Sequence, residues 1–304
     1  MVAVYRSLLD PQALAELVGE TYRVPVERCT LIRSFVNDVY EVSGQRRYVL
    51  KVYRHGFWSR DEVAWECGLA RHLAEAGVPV ARPVGAPGEV AAPEGGRPFA
   101  LWEYVRGVPP TAEPATYREF GRLTAAFHAA ADTYRTSLPR RAFDLDHTVD
   151  RPLAEVLPLL AADDADLVRR AVEWARRDIV EYADALDWGV CHGDVTLDNI
   201  QRTEAGLVLH DLDLAGPHWR AADLYGVAAT PCWNAFAAGY QQVRPLGEAD
   251  LSAVPAFRIV GSLTNLRFHL VQKPLLRGTE SIAEGWVDDL LRQFATVRPA
   301  RRSR

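Results

Sequence analysis

His192-Gly193-Asp194-Val195-Thr196-Leu197-Asp198-Asn199, continued through an apolar stretch to Leu209-His210-Asp211-Leu212-Asp213, is the segment on which the reading of this chain turns. An acid and an amide stand five residues apart, a short strand-like run follows, and a pair of acids ends it. Gly193 lets the backbone turn tightly, or approach a ligand closely, just before Asp194. An exposed loop carboxylate at Asp194 can orient a hydroxyl and take its proton; taken alone it reads as an ordinary turn aspartate. Asn199 offers a neutral amide oxygen to a cation while its NH2 braces the loop, although alone it reads as a local turn bond. Val208 and Leu209 pack a strand that delivers Asp211, an anionic oxygen ligand that alone would be a strand-end cap. Together these residues form the set that phosphoryl transfer requires: a carboxylate for the acceptor proton and oxygen ligands for Mg2+ beside a triphosphate.

The neighbours of this set are more ambiguous. Period-two alternation puts Asp213 on the side of Asp211 if the strand persists. Asp213 then either assists the metal or, the reading favoured here, holds the loop by accepting backbone N–H bonds. His192 is read as a loop-holding donor to a backbone carbonyl rather than as an acid–base group. Asp198 is read as solvated or substrate-facing.

Positive charge for the phosphates comes from the first half of the chain. Lys51 lies in Val49-Leu50-Lys51-Val52-Tyr53, where an alternating strand points its amine away from its packed neighbours. Glu66, on the helix that follows, is the expected ion-pair partner, with Glu62 one turn earlier as its rival. In Ser34-Phe35-Val36-Asn37-Asp38, which lies between expected strands, the Ser34 hydroxyl, Asn37 and backbone N–H groups can cover terminal phosphates, although there is no glycine-rich nucleotide motif.

Around these residues the pattern predicts a helix from Asp10 to Tyr22 capped by Asp10. Strands follow at 39–42 and 47–53 across a Ser43–Arg46 turn, then a helix over 61–76 closed by Gly77 and Pro79. Residues 80–96 read as edge strands and turns, and 99–105 as a strand. The lobe boundary falls at 106–110. Helices are expected over 117–131, 149–161, 163–186, 221–243, 249–271 and 279–296. The fold class is therefore α+β: a small β-rich N-lobe (1–105) that binds nucleotide and a larger helical C-lobe (106–304) that carries the catalytic loop and acceptor site. It is not a doubly wound sheet.

With 304 residues, 48% of them hydrophobic, the chain can bury a sizeable core. A formal net charge of -5, from 35 basic and 40 acidic residues, argues against a nucleic-acid binder and slightly favours a cationic acceptor. The one dense basic run, Arg298–Arg304, reads as a frayed end. Cys29, Cys67, Cys191 and Cys232 lack zinc-ligand spacing, and free thiols are expected, with Cys191 an ordinary buried one. No signal core or membrane span is visible, so the expectation is a cytoplasmic protein, monomeric or homodimeric.

With Cys191-His192-Gly193-Asp194, Asn199, Asp211-Leu212-Asp213, the Lys51 strand, and Glu66 and Leu73 before Gly77-Val78-Pro79-Val80, the chain resembles the aminoglycoside phosphotransferase and homoserine kinase type II family. That family shares the choline-kinase-like form of the protein kinase fold, and the resemblance covers most of residues 30–290. It implies a bilobal protein kinase-like fold with Asp194 as catalytic base and Asn199 and Asp211 as Mg2+ ligands. It also implies Lys51 on the phosphates with Glu66 as partner, Asn37 near the nucleotide loop, and Glu103 and Val105 at the adenine hinge, mainly through backbone atoms. The implied donor is ATP, with GTP a second candidate, and the acceptor is a small-molecule hydroxyl. Two positions depart from the family: Thr196 stands where a histidine is common, and Leu212 where an aromatic is common. Asp187, Trp188, Asp198, Trp219, Asp223 and Trp233 are candidates for the acceptor site, with Asp223 favoured as a brace below it. A protein Ser/Thr kinase and a non-catalytic nucleotide-binding regulator are the alternatives; the absence of an activation segment after Asp213 speaks against the first.

Overall fold

Asp10 starts the first helix, its carboxylate accepting from the backbone N–H groups of Gln12 (3.1 Å) and Ala13 (2.9 Å). The structure, a computed structural model, describes residues 8–86, 90–91 and 96–296. Its first elements are helix α1 (Pro11–Tyr22), strands β1 (Arg28–Ser34), β2 (Asp38–Ser43) and β3 (Arg47–Val52), helix α2 (Arg60–Glu75), strand β4 (Phe99–Glu103) and helix α3 (Pro114–Ala131). Next come α4 (Arg151–Val156), α5 (Ala162–Tyr182), β5 (Trp188–Cys191), β6 (Ile200–Thr203), β7 (Gly206–Leu209) and β8 (Gly216–Trp219). The last are α6 (Tyr225–Ala228), α7 (Trp233–Tyr240), α8 (Glu248–Arg267), α9 (Lys273–Arg277) and α10 (Trp286–Thr296). The class is α+β, as the sequence predicts: an antiparallel sheet near the N-terminus and a helical C-terminal part.

The chain folds into two compact units. The described residues of the first fall within Met1–Ala112, Leu123–Arg141 and Leu197–Ala215. Its sheet runs β1-β2-β3-β4, antiparallel throughout. Tyr40 and Val42 of β2 and Leu50 and Val52 of β3 pack with Leu14, Val18 and Tyr22 of α1. Strand β1 is the strand expected before Ser34–Asp38; the sequence gives it no bounds, because it is an edge strand with irregular exposure and a register shift between Leu31 and Arg33. Ser59 and Glu62 form a reciprocal capping box that opens α2. The β6–β7 hairpin belongs to this unit because Leu209 donates to Pro79 and its carbonyl accepts from Ala81, while Arg202 and Val108 bond reciprocally. Both compact units are discontinuous along the chain.

The second unit covers Glu113–Arg122, Ala142–Thr196 and the described part of Gly216–Arg304. Its core joins Val168, Val172 and Ile179 of α5, Phe257, Ile259 and Leu263 of α8, and Leu290 and Phe294 of α10. Several expected helices are shorter than their periodicity suggests. The 221–243 run is split into a 3-10 turn, α6 and α7, with Pro231 between the two helices. The 279–296 run becomes a 3-10 segment, then Gly285 at φ 85°, then α10. The 149–161 run is reduced to α4 between a π turn and a 3-10 turn that contains Pro158. The expected turns at 80–96 appear as isolated bridges at Val80, Pro83 and Ala91, but residues 87–89 and 92–95 lie outside the described part, as does the basic run Arg298–Arg304. All four cysteines are free. Among the described residues no helix is long and apolar enough to cross a membrane.

Two features of the second unit bear on stability. Helices α3 and α7 meet through glycines: a Cβ on Gly239 would lie 1.9 Å from the Arg118 carbonyl oxygen, and one on Gly121 would lie 2.0 Å from that of Phe236. Both obstacles are backbone, so Gly239→Ala is expected to lose about 3 kcal/mol in urea unfolding; an unchanged midpoint would refute the contact.

His218 of β8 is buried edge-on to Trp188 and Phe257, and its Nδ1 has no hydrogen-bond partner. Burial pulls its pKa down to about 4 from 6.5. Between those values the unfolded chain binds a proton that the native state does not, so stability falls as pH falls. From pH 7 to 4.5 the loss from this group is about 2–3 kcal/mol. His218→Phe should flatten that part of the acid-stability profile, measured by urea unfolding across the range.

Candidate active site

Lys51 organises the polar interior of the first unit. Leu50 and Val52 face the apolar core, so alternation sends Lys51 to the opposite face of the sheet. There its ammonium contacts Asp211 directly, lies 3.3 Å from Asp213 Oδ2, and lies 3.7 Å from Glu66 Oε1. Burial opposes the charge on Lys51, but the three carboxylates outweigh it and hold the amine well above its usual range. Burial also works against the Asp211 carboxylate, yet Lys51, followed by Arg33, keeps it below the usual range. Asp213 is pushed up to about 7, by burial first and by Asp211 second. Burial raises Glu66 as well, against the pull of Lys51 and Arg140. Of the two rivals, Glu66 is the one beside Lys51; Glu62 spends its carboxylate on the Ser59 N–H and hydroxyl, both at 3.0 Å.

The two acids do not reach Lys51 by strand alternation, which corrects the sequence expectation. Strand β7 ends at Leu209, and Asp211 adopts a left-handed backbone at φ 63°. A short polar side chain tolerates that conformation better than a branched one. The sequence reading has Asp213 accepting backbone N–H bonds; instead its carboxylate takes the Asn37 side-chain amide at 2.7 Å and faces Lys51. The Asn37 Oδ1 also accepts from the Arg54 N–H (3.0 Å). The Ser34 hydroxyl donates to Asp38 Oδ1 (2.6 Å). Arg97, which no motif announces, pairs with Asp38 and donates to the Val52 (2.9 Å) and Tyr53 (2.8 Å) carbonyls, fastening the end of the Lys51 strand. Glu103 ends β4 with its N–H given to the Arg82 carbonyl (2.8 Å), and Val105 lies just past the strand.

Asn199 and Asp211 flank the β6–β7 hairpin. Ile200 pairs with Leu209 at its base, and the His210 N–H donates to the Asn199 carbonyl (2.9 Å). An amide oxygen and carboxylate oxygens are hard donors of the kind Mg2+ prefers. With all three carboxylates ionised, the charge around the ammonium is net negative, which suits a divalent cation.

The second unit holds the loop bearing Asp194. Strand β5 runs into Cys191 and His192. The buried Asp223 then accepts from the His192 N–H (2.7 Å) and the Gly193 N–H (2.8 Å), the brace expected of it. Gly193 turns the chain at φ 83°. The His192 ring is buried, and its Nδ1 accepts from the Asp194 N–H (3.2 Å), so the ring holds the loop. Asp194 and Asp198 are exposed. Asp187 is clasped by Arg220 and Arg244, both at 2.7 Å, which makes it a structural ion-pair centre. Trp188 packs on Trp219, and Trp233 stacks on Phe236. Burial raises the Cys191 thiol well above its usual range, as an inert core cysteine requires. Strand β8 begins three residues after Asp213, which leaves no room there for a long activation segment.

The profile of the phosphotransferase enzyme family matches residues 28–254. An uncharacterized protein of Deinococcus radiodurans is 40% identical over 272 residues, covering 83% of this chain and 79% of its own length. A homoserine kinase of Phenylobacterium zucineum is 29% identical over 296 residues, with 89% and 87% covered. Among solved structures, a microcompartment-associated aminopropanol kinase superposes with a TM-score of 0.74 at 21% identity, over 93% of this chain and 94% of that one. That likeness establishes the kinase-like fold, and the extent of the profile match establishes that the chain belongs to the phosphotransferase enzyme family.

Proposed function

We propose that the chain is an ATP- and Mg2+-dependent O-phosphotransferase that moves a γ-phosphoryl group onto the hydroxyl of a small, amine-bearing molecule in the cytoplasm. The observation that carries the reading is the buried Lys51 ammonium among Asp211, Asp213 and Glu66. A surface salt bridge has no need of that desolvated arrangement. An amino alcohol, homoserine or an aminoglycoside-like natural product would suit, since homoserine kinases and an aminopropanol kinase are among the similar proteins. GTP is a second candidate donor.

In this mechanism residues 1–105 do the nucleotide-binding work, and 106–304 supply the catalytic loop and acceptor site. Asn199 and Asp211 would hold Mg2+, which neutralises phosphate charge when bound. Lys51 binds the phosphates as a point charge, with Glu66 fixing its position. The loop from Ser34 to Asn37 covers the phosphates, and the backbone at Glu103 and Val105 meets the adenine. Asp194 orients the acceptor hydroxyl in line with the transferred phosphorus and takes its proton at a carboxylate oxygen.

Asp194→Asn is expected to lower phosphoryl transfer by about a hundredfold or more while ADP binding stays within a few fold. Asp211→Asn should also abolish the Mg2+ dependence of ADP binding. Both are read on the acceptor found by incubating the protein with ATP and a panel of hydroxylated amines, with products resolved by mass spectrometry. Near-normal turnover in both variants would overturn the assigned roles. Tight Mg·ATP binding with no phosphorylated product across a broad panel would favour a nucleotide-binding regulator.

A further inference from the structure

We propose that Arg140 is a positioning residue for the reaction: its guanidinium fastens the segment from Asp211 to Ala215 to helix α2, fixing the spacing of the acids that surround Lys51. The inference rests on the reading of Asp211 as a metal ligand and adds a residue that lies in no motif.

Arg140 sits beyond α3 in a stretch without regular structure. Its Nε donates to the Ala215 carbonyl (2.6 Å) and its Nη2 to the Asp213 carbonyl, with the Leu212 carbonyl at 3.5 Å. Nη1 reaches the Glu62 carbonyl (3.1 Å) in the first turn of α2, one helical turn before Glu66. Four carbonyls from two segments thus meet one planar fork, a geometry that a lysine cannot reproduce. Every acceptor is backbone, so Arg140 holds the course of the chain rather than any one side chain. The plane is set by aromatic faces, with the guanidinium carbon 4.0 Å from the Trp58 ring centre and 5.0 Å from that of Trp65. Arg141 packs on Trp58 as well, at 4.8 Å.

The segment needs this support. It lies outside any strand, and its internal backbone bond is Ala215 N–H to the Leu212 carbonyl (3.0 Å). Asp211 also holds a left-handed backbone that neighbouring structure must maintain. Without the clamp, α2 with Glu66 and the segment with Asp211 and Asp213 would shift independently, and Lys51 would lose its fixed partners.

Hydrogen–deuterium exchange on the nucleotide-free chain tests this, together with ADP binding titrated against Mg2+. In Arg140→Met and Arg140→Lys alike, amides of 211–215 should exchange about tenfold faster, with those of β2 and β3 unchanged. The Mg2+ concentration that half-saturates ADP binding should rise roughly tenfold, the range for loss of a group that supports a metal ligand. Should Arg140→Met fail to fold, Arg140→Lys and Trp58→Leu carry the test, the latter with a smaller effect confined to the same amides. Wild-type exchange in the lysine variant, or acceleration spread evenly over the chain, would overturn the proposal. Asp211→Asn serves as the control: if it leaves the Mg2+ dependence intact, the metal-ligand reading fails, and the exchange data alone decide the clamp.

Discussion

A desolvated ammonium is tolerable only beside negative charge, and in this protein that requirement falls on Lys51, whose neighbours are Asp211, Asp213 and Glu66. Glu66 and the Asp211–Asp213 pair come from distant parts of the sequence, so satisfying one lysine fixes strand β3, helix α2 and the segment after β7 relative to one another. Much of the surrounding polar structure serves that end. Asn37 bridges Asp213 and the Arg54 backbone, and Arg97 secures the end of β3. The capping box of Ser59 sets where α2 begins, and hence where Glu66 lies.

The loop bearing Asp194 is built on a different principle. Its backbone N–H groups converge on the single carboxylate of Asp223, and the His192 ring takes the next N–H in line. Three consecutive backbone donors are thus satisfied inside the second unit. The Asp194 carboxylate projects from a backbone held in place while remaining exposed itself. That combination of a fixed main chain and an accessible acid suits a group that must meet a diffusing substrate.

How much of this is legible in the sequence depends on whether the signal is local. The periodicities of α1, α2, β2 and β3 are strong because each buries one face, and Asp10, Gly77 and Pro79 punctuate them. Asp194, Asn199, Asp211 and Lys51 stand out through residue type and spacing, whereas Glu66 shares its helix face with Glu62 four residues earlier, so the sequence leaves the two as rivals. The bounds of strand β1 are hidden by its place at the sheet edge, and the short helices of the second unit by Pro158, Pro231 and Gly285, which cut apolar runs that otherwise read as continuous. The carbonyl-gripping arginines are beyond reach. Arg97 and Arg140 act on backbone far away in sequence, and a donor to a distant carbonyl leaves no pattern in its own neighbourhood. Asp213 is misread because its geometry is extrapolated from a strand that ends at Leu209.

The left-handed backbone of Asp211 bears on how such a chain can change over generations. Aspartate, asparagine and glycine occupy that conformation with little strain, and of these only aspartate carries charge. Sequence drift at this position is therefore held from two sides: the backbone admits few residue types, and of those only aspartate answers the buried Lys51 ammonium.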